Sequence, residues 1–129
     1  MFWLKLKFEF SIIASFTVTF FCEKRLFNEI EVRKCNKKIN KANCYAKRFA
    51  AKEAFSKAIG TGISRGINFD EIIVYNIKSG KPRIKLLGNT KKVVNKILNK
   101  KKFNIFLSLS DDKPFAIATV VISIWIKKV

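Results

Sequence analysis

The sequence has no histidine, three cysteines, two prolines, five glycines and only nine acidic residues in 129. Without histidine, Ser-His-Asp and Cys-His nucleophile arrangements are excluded, as is the usual general base near neutral pH. Any catalysis must rest on carboxylates, lysines, hydroxyls or a metal ion. Cys22, Cys35 and Cys44 show no C-x-x-C spacing and have no histidine to complete a zinc site, so free thiols in a reducing cytoplasm are expected. The uncharged run Phe10 to Cys22 is thirteen residues long, too short to cross a bilayer as a helix. It has the length of a signal-peptide apolar segment, but no small-x-small cleavage pattern precedes Glu23, and export is not expected.

What is present is apolar and basic. Hydrophobic residues make up 49% of the chain, thirteen of them phenylalanine, enough for a core in one ordinary domain spanning residues 1–129. Twenty-seven basic residues give a formal net charge of +18, which attracts nucleic acid, anionic membrane, a phosphorylated ligand or an acidic protein without choosing among them. Arginine is confined to Arg25, Arg33, Arg48, Arg65 and Arg83. The abundance of Lys, Asn, Ile and Phe matches A/T-rich coding, so part of the excess charge is compositional.

Periodicity divides the chain. Leu4, Leu6, Phe8 and Phe10 alternate with Lys5, Lys7 and Glu9, the pattern of a half-buried strand. From Glu23 to Asn43 the composition predicts an exposed helix with Leu26, Ile30 and Val32 as its apolar points, ending in the polar stretch Asn36 to Asn43. Ala46, Ala50, Ala54 and Ala58 recur every fourth residue, predicting a helix over about 44–59 that stops at Gly60 and lets another element approach closely. Beyond it come a strand at Ile72–Tyr75, a turn at Ser79-Gly80-Lys81-Pro82 and a partner strand at Arg83–Leu87. A lysine-rich helix over about 89–100 follows, then strands Asn104–Ser110 and Phe115–Trp125 around a turn at Asp111-Asp112-Lys113-Pro114. The reading is a single α+β domain.

Spacing alone points weakly to chemistry. Glu53 and Lys57 share a helix face, which most often means an ion pair worth about 0.3–0.5 kcal/mol. Arg48 reads equally well as a solvated base, and Gly60-Thr61-Gly62 as a helix cap rather than a phosphate cradle.

The run Arg48-Phe49-Ala50-Ala51-Lys52-Glu53-Ala54-Phe55-Ser56-Lys57-Ala58, with Gly60-Thr61-Gly62 and Arg65-Gly66-Ile67, resembles the signature helix and loop of the holo-[acyl-carrier-protein] synthase family. Gly80-Lys81-Pro82 and Leu107-Ser108-Leu109-Ser110 resemble later family blocks, in the same order, so that residues 44–123 are family-like. The resemblance implies a 4'-phosphopantetheinyl transferase fold, a long helix on a small antiparallel sheet, assembled as a homotrimer with sites between subunits. It implies transfer of 4'-phosphopantetheine from coenzyme A to a serine of apo-acyl carrier protein, in the cytoplasm, in support of fatty-acid and lipid synthesis. Neither nucleic acid nor membrane is then an expected partner. Carried over by position, Glu53 is a Mg²⁺ ligand and Lys57 faces the coenzyme A pyrophosphate, both catalytic. Arg48 and Asp111 lie near the 3'-phosphate, Gly80, Lys81 and Pro82 border the adenine, and Gly60 lies along the cofactor.

Two departures qualify this. The family's opening strand carries a metal-binding aspartate in a pattern like G-x-D-I, but the first aspartate here is Asp70 and the only acid in residues 1–22 is Glu9, which is out of register. The arginine-containing first helix is also missing, and a misread or frameshifted start accounts for both, leaving the activity of the chain open. Asp111-Asp112 stand where the family more often has histidine and a hydroxyl residue; they repel a phosphate unless a cation such as Lys113 intervenes. The alternatives are an impaired trimeric remnant that still binds coenzyme A, and a small basic nucleic-acid binder. Coenzyme A titration with and without Mg²⁺, and salt-dependent binding to single-stranded DNA, separate the three.

Overall fold

A computed structural model describes residues 3–15, 23–62, 64–112 and 115–127. Its elements are β1 (Trp3–Ser15), α1 (Glu23–Leu26), α2 (Glu29–Asn36), α3 (Lys41–Ile59), a short 3-10 turn at Phe69–Glu71, β2 (Ile72–Asn76), β3 (Pro82–Leu86), α4 (Gly88–Ile97), β4 (Phe103–Asp112) and β5 (Phe115–Lys127). The α+β class expected from the sequence forms, with an antiparallel sheet in the order β1-β5-β4, a separate β2-β3 hairpin, and α3 laid on the larger sheet.

The alanine stripe explains that packing. Ala46, Ala50 and Ala54 are fully buried, and their methyl side chains bring α3 against Ala118, Val120 and Ile122 of β5. The helix starts three residues earlier than its apolar pattern indicated, because Asn40 Oδ1 accepts the amide of Asn43 at 3.0 Å. It stops at Gly60, whose φ of 90° is costly for a residue with a side chain.

Upstream, the single exposed helix expected over Glu23–Asn43 is replaced by α1 and α2, broken at Phe27-Asn28. Asn28 forms a capping box: its Oδ1 accepts Ile30 N at 3.0 Å, and its own amide donates to Glu31 Oε2 at 2.8 Å. The inward face is Phe27, Glu31 and Cys35, all buried, whereas Ile30 is 61% exposed. The buried carboxylate of Glu31 accepts from Lys52 Nζ at 2.6 Å and from Val74 N at 2.9 Å. Lys52 also donates to the carbonyls of Leu26 and Phe69, at 2.7 and 2.8 Å. Burial draws the Lys52 ammonium below its ordinary pKa more than Glu31 raises it. Sequence periodicity scored Glu31 as solvent-facing because its partners come from α3 and β2.

Three further expectations are corrected. Cys35 and Cys44 are not free thiols but are joined in a disulfide, with their Cα atoms 5.4 Å apart, because the chain after α2 folds back to set the first turn of α3 beside it. Cys22 lies outside the described residues. The strand expected at Leu4–Phe10 continues to Ser15, paired with β5 from Trp3↔Lys127 to Ser15↔Phe115, so the uncharged run begins as sheet. Residues 16–22, the remainder of that run, are outside the description. Asp111 and Asp112 are not turn residues: they pair with Ala116 and Phe115, and residues 113–114 that connect the strands are outside the description.

Glu71 organises the start of α4. Its carboxylate accepts Asn89 N at 3.2 Å, Thr90 N at 2.8 Å and Thr90 Oγ1 at 2.7 Å. Burial raises the Glu71 pKa, but the Thr90 hydroxyl and amide, Asn68 and the Asn89 amide outweigh it, for a net lowering. Gly88, at φ 55°, is required there, since a Cβ at this position would collide with Glu71 Oε1. Gly88→Ala is therefore expected to lower unfolding stability by about 1–2 kcal/mol, the scale of a lost cap plus left-handed strain. The difference should narrow in acid, because a carboxylate with a lowered folded pKa stabilises above its unfolded pKa and that contribution is lost as pH falls through the folded one. Urea unfolding of both proteins at neutral and acidic pH measures it.

Candidate functional site

The long helix α3 presents two groups of polar side chains. Near its N-terminus Asn43, Cys44, Lys47 and Arg48 line a cavity of about 740 Å³. The opposite walls are Lys34 of α2, Lys37, Lys38, Ile39 and Asn40 of the α2–α3 connection, and Asn76 and Gly80 of the β2–β3 turn. The turn is tied to α2, since Lys34 Nζ donates to Asn76 Oδ1 at 2.8 Å and Asn76 Nδ2 donates to Gly80 O at 2.9 Å.

Arg48 is 4% exposed and has no ion pair among the described residues. Its Nη1 donates to Cys44 O at 3.2 Å and meets Cys44 Sγ at 3.1 Å, while its buried Nε finds no partner among the described residues. Burial lowers the Arg48 pKa, against the raising influence of Glu31 and Tyr45. Lys34 is lowered too, by burial and then by the positive charges of Arg48 and Lys38. Arg48, Lys34, Lys37, Lys38 and Lys47 around one open cavity make a positive field that suits an anion.

Asp111, read from the sequence as repelling a phosphate unless a cation intervenes, stands at the rim beside such a cation. Its Oδ2 accepts Asn43 Nδ2 at 3.0 Å and its Oδ1 lies 3.5 Å from Lys47 Nζ. Among the described residues the cation beside Asp111 is Lys47; the expected Lys113 lies outside them. Sequence reasoning passed over Asn43 and Lys47, although both precede Arg48 on neighbouring turns of one helix. Lys34 and Asn76 carried no comparable signal.

Further along α3, Glu53 and Lys57 form an i,i+4 pair with Nζ 3.7 Å from Oε1. Glu53 is one-quarter and Lys57 about half exposed, so both side chains are open to a ligand. Five residues of helix set Glu53 about 7.5 Å along the axis from Arg48. Among the described residues no three Cys, Asp or Glu side chains cluster as a metal site. One hard carboxylate suits Mg²⁺, which binds through one or two protein oxygens and keeps water and phosphate oxygens as its other ligands.

The remaining expected residues divide. Gly80 borders the cavity with Arg48, while Lys81, next in the turn, and Pro82, which opens β3, do not line it. Gly60 caps the helix, as its spacing suggested. The amides of Gly60, Thr61 and Gly62 donate to Lys57 O, Ser56 O and Ser56 O, so this loop closes the helix and offers no free N–H to a phosphate.

A family model described as the 4'-phosphopantetheinyl transferase superfamily matches residues 15–120. The chain is similar to the holo-[acyl-carrier-protein] synthase of Pelagibacter ubique, 48% identical over 99 residues covering 77% of each chain. Against that of Bartonella bacilliformis it is 46% identical over 101 residues, 77% of this chain and 75% of the other. Among solved structures, holo-[acyl-carrier-protein] synthase from Neisseria meningitidis superposes with a TM-score of 0.76 at 28% identity, covering 88% of this chain and 95% of that one. A holo-(acyl-carrier-protein) synthase from Bacillus anthracis in complex with CoA (3',5'-ADP) gives 0.70 at 31% identity, covering 89% and 94%.

Proposed function

The chain belongs to the 4'-phosphopantetheinyl transferase superfamily, and on that premise we propose that it moves 4'-phosphopantetheine from coenzyme A to a serine of apo-acyl carrier protein, releasing adenosine 3',5'-bisphosphate. The observation that carries this reading is the buried Arg48 guanidinium, without an ion pair among the described residues, in a lysine-lined cavity on the same helix as the Glu53–Lys57 pair.

In this reading the 3'-phosphate enters the cavity and meets Arg48, with Lys34, Lys37 and Lys38 supplying the surrounding positive field. Gly80 leaves room for the adenine beside the turn. The pyrophosphate then lies along α3 toward Lys57. The serine oxygen attacks the phosphorus that carries pantetheine, the bond to the bridging oxygen breaks, and Lys57 meets the charge that grows on the departing bisphosphate. Glu53 holds Mg²⁺, which when bound neutralises the pyrophosphate. Incubation of the chain with coenzyme A, Mg²⁺ and apo-acyl carrier protein, followed by mass spectrometry of the carrier, tests the reading; no phosphopantetheine adduct under any condition would sink it.

With one carboxylate available from α3, transfer is slow. Replacing residues 1–22 by a family-type opening strand with its aspartate and a first helix should raise the rate on the order of 100-fold, since poor positioning costs about that much. An unchanged rate would remove the missing aspartate as the cause.

Assembly as a homotrimer and a place in the cytoplasm, in support of fatty-acid synthesis, complete the proposal. The sheet face away from α3 supports assembly: Phe106 and Phe115 are 43% and 49% exposed there, beside Ile117 and Val121. Light scattering reports the oligomer. No described helix is long and apolar enough to cross a membrane.

Asp111→Asn should tighten coenzyme A by about two- to five-fold, the scale of an exposed charge pair. The substitution removes a negative charge from the rim and releases Lys47 toward the ligand. Dephospho-coenzyme A, which lacks the 3'-phosphate, should change less, and the gap should shrink at high salt. Equal effects on both ligands in calorimetry would place Asp111 out of view of that phosphate.

A further inference from the structure

The wall of the cationic cavity contains a covalent bond that the proposed transfer does not use. Cys35, in the last turn of α2, and Cys44, in the first turn of α3, close a loop whose Lys37, Lys38, Ile39, Asn40 and Asn43 all line the cavity. Cys35 is fully buried, whereas Cys44 is itself a lining residue and keeps 6% of its surface exposed. Of the two half-cystines, Cys44 is therefore the one that faces a reagent entering the cavity. The Cys44 sulfur lies 3.1 Å from Arg48 Nη1, the guanidinium assigned above to the 3'-phosphate.

We propose that Cys35–Cys44 is a thiol–disulfide exchange site opening into the coenzyme A cavity, reduced by small anionic thiols and coupled to occupancy of the cavity. This rests on the coenzyme A reading of the cavity given above. The field of Lys34, Lys37, Lys38 and Lys47 draws an anionic thiol inward and favours its thiolate, the attacking form. The thiolate attacks Cys44 Sγ, a sulfur–sulfur bond forms between them, and the Cys44–Cys35 bond breaks with its electron pair leaving on Cys35. A second small thiolate attacks the external sulfur of the mixed disulfide, releasing the small-molecule disulfide and the Cys44 thiolate. The two protein sulfurs gain two electrons, the two small thiols lose them, and the protein thiolates take protons from solvent as their pKa values require.

Two consequences follow for the ligand, and both have the same sign. Reduction releases the loop that forms one wall of the cavity, so fewer molecules hold the binding shape at any time. It also leaves a free Cys44 sulfur 3.1 Å from Arg48 Nη1, where it competes with the phosphate for the same guanidinium. The oxidised chain is the tighter binder. By linkage, a ligand that prefers the oxidised form makes the disulfide harder to reduce by the same factor. A coupling of about five-fold or more is expected, at the lower end of allosteric couplings.

The test uses the whole chain prepared without reductant. Thiol counting after denaturation should give one reactive cysteine, Cys22, and three after reduction, the sequence having no others. Calorimetric titration with 3',5'-ADP, before and after reduction by an uncharged phosphine, should show about five-fold or greater weakening that oxidised glutathione reverses. Circular dichroism on the same samples shows that both forms are folded. Cys35→Ser/Cys44→Ser, which frees the loop without leaving a sulfur beside Arg48, should bind more weakly than the oxidised chain, no more weakly than the reduced one, and no longer respond to the phosphine. Equal affinity in the two redox forms, or three reactive thiols even after treatment with oxidised glutathione, overturns this inference alone. Failure of the oxidised chain to bind 3',5'-ADP at all overturns the reading of the cavity and this inference with it.

Discussion

Glu53→Gln is expected to reduce phosphopantetheine transfer on the order of 100-fold or more and to abolish the Mg²⁺-dependent part of coenzyme A binding, while leaving stability within about 0.5 kcal/mol. The reasons are local. The carboxylate is partly exposed and its ion pair with Lys57, at 3.7 Å, is of the helix-surface kind that contributes a few tenths of a kcal/mol, so folding does not depend on it. Glutamine keeps the shape and helix propensity but removes the charge that a hard cation requires. Carrier modification followed by mass spectrometry gives the rate, calorimetry with and without Mg²⁺ gives the binding, and denaturant unfolding gives the stability. Survival of metal-dependent binding in the variant would show that Glu53 is not the ligand.

Glu31→Ala is expected to act in the opposite way, destabilising the fold by about 3–5 kcal/mol without touching the exposed pair on α3. Its carboxylate is completely buried against Lys52, which is buried as deeply, and it also receives the amides of Val74 and Asn28. Removing it leaves an uncompensated ammonium and the buried Val74 amide unsatisfied, frees the part-buried Asn28 amide, and loses the anchoring of α2 to α3 and β2. Replacing the pair together, Glu31→Leu with Lys52→Met, should cost less than Glu31→Ala alone, since no charge is then stranded. Urea unfolding of the single and double variants measures the difference. A single variant within 1 kcal/mol of the parent would mean that Lys52 sheds its proton in the core at little cost.

These two glutamates show how far the sequence could be read. Glu53 was legible because its spacing to Lys57 and its place in a recognisable helix run are both local. Glu31 was not, because an acid in a charged stretch scores as solvated until its partners, 21 and 43 residues away, are known. The cysteines failed in the same way. Their spacing of nine matched no motif, and only the reversal of the chain after α2 brought them together. Asp111 was singled out by position, but its bonds to Asn43 and Lys47 span 68 and 64 residues and could not be read from it.

What the sequence by itself determined is the set of properties that local periodicity encodes: the alanine-faced helix, the Glu53–Lys57 face, the two hairpins and the α+β class. Backbone sterics and side-chain spacing decide such features within a few turns of chain, whatever lies elsewhere. Tertiary structure alone decided which charges are buried, which cations share a cavity and which sulfurs meet. Those outcomes depend on loop closure between distant segments, where one approach of α2 to α3 simultaneously sets the Glu31–Lys52 pair, the Cys35–Cys44 bond and the cavity beside Arg48.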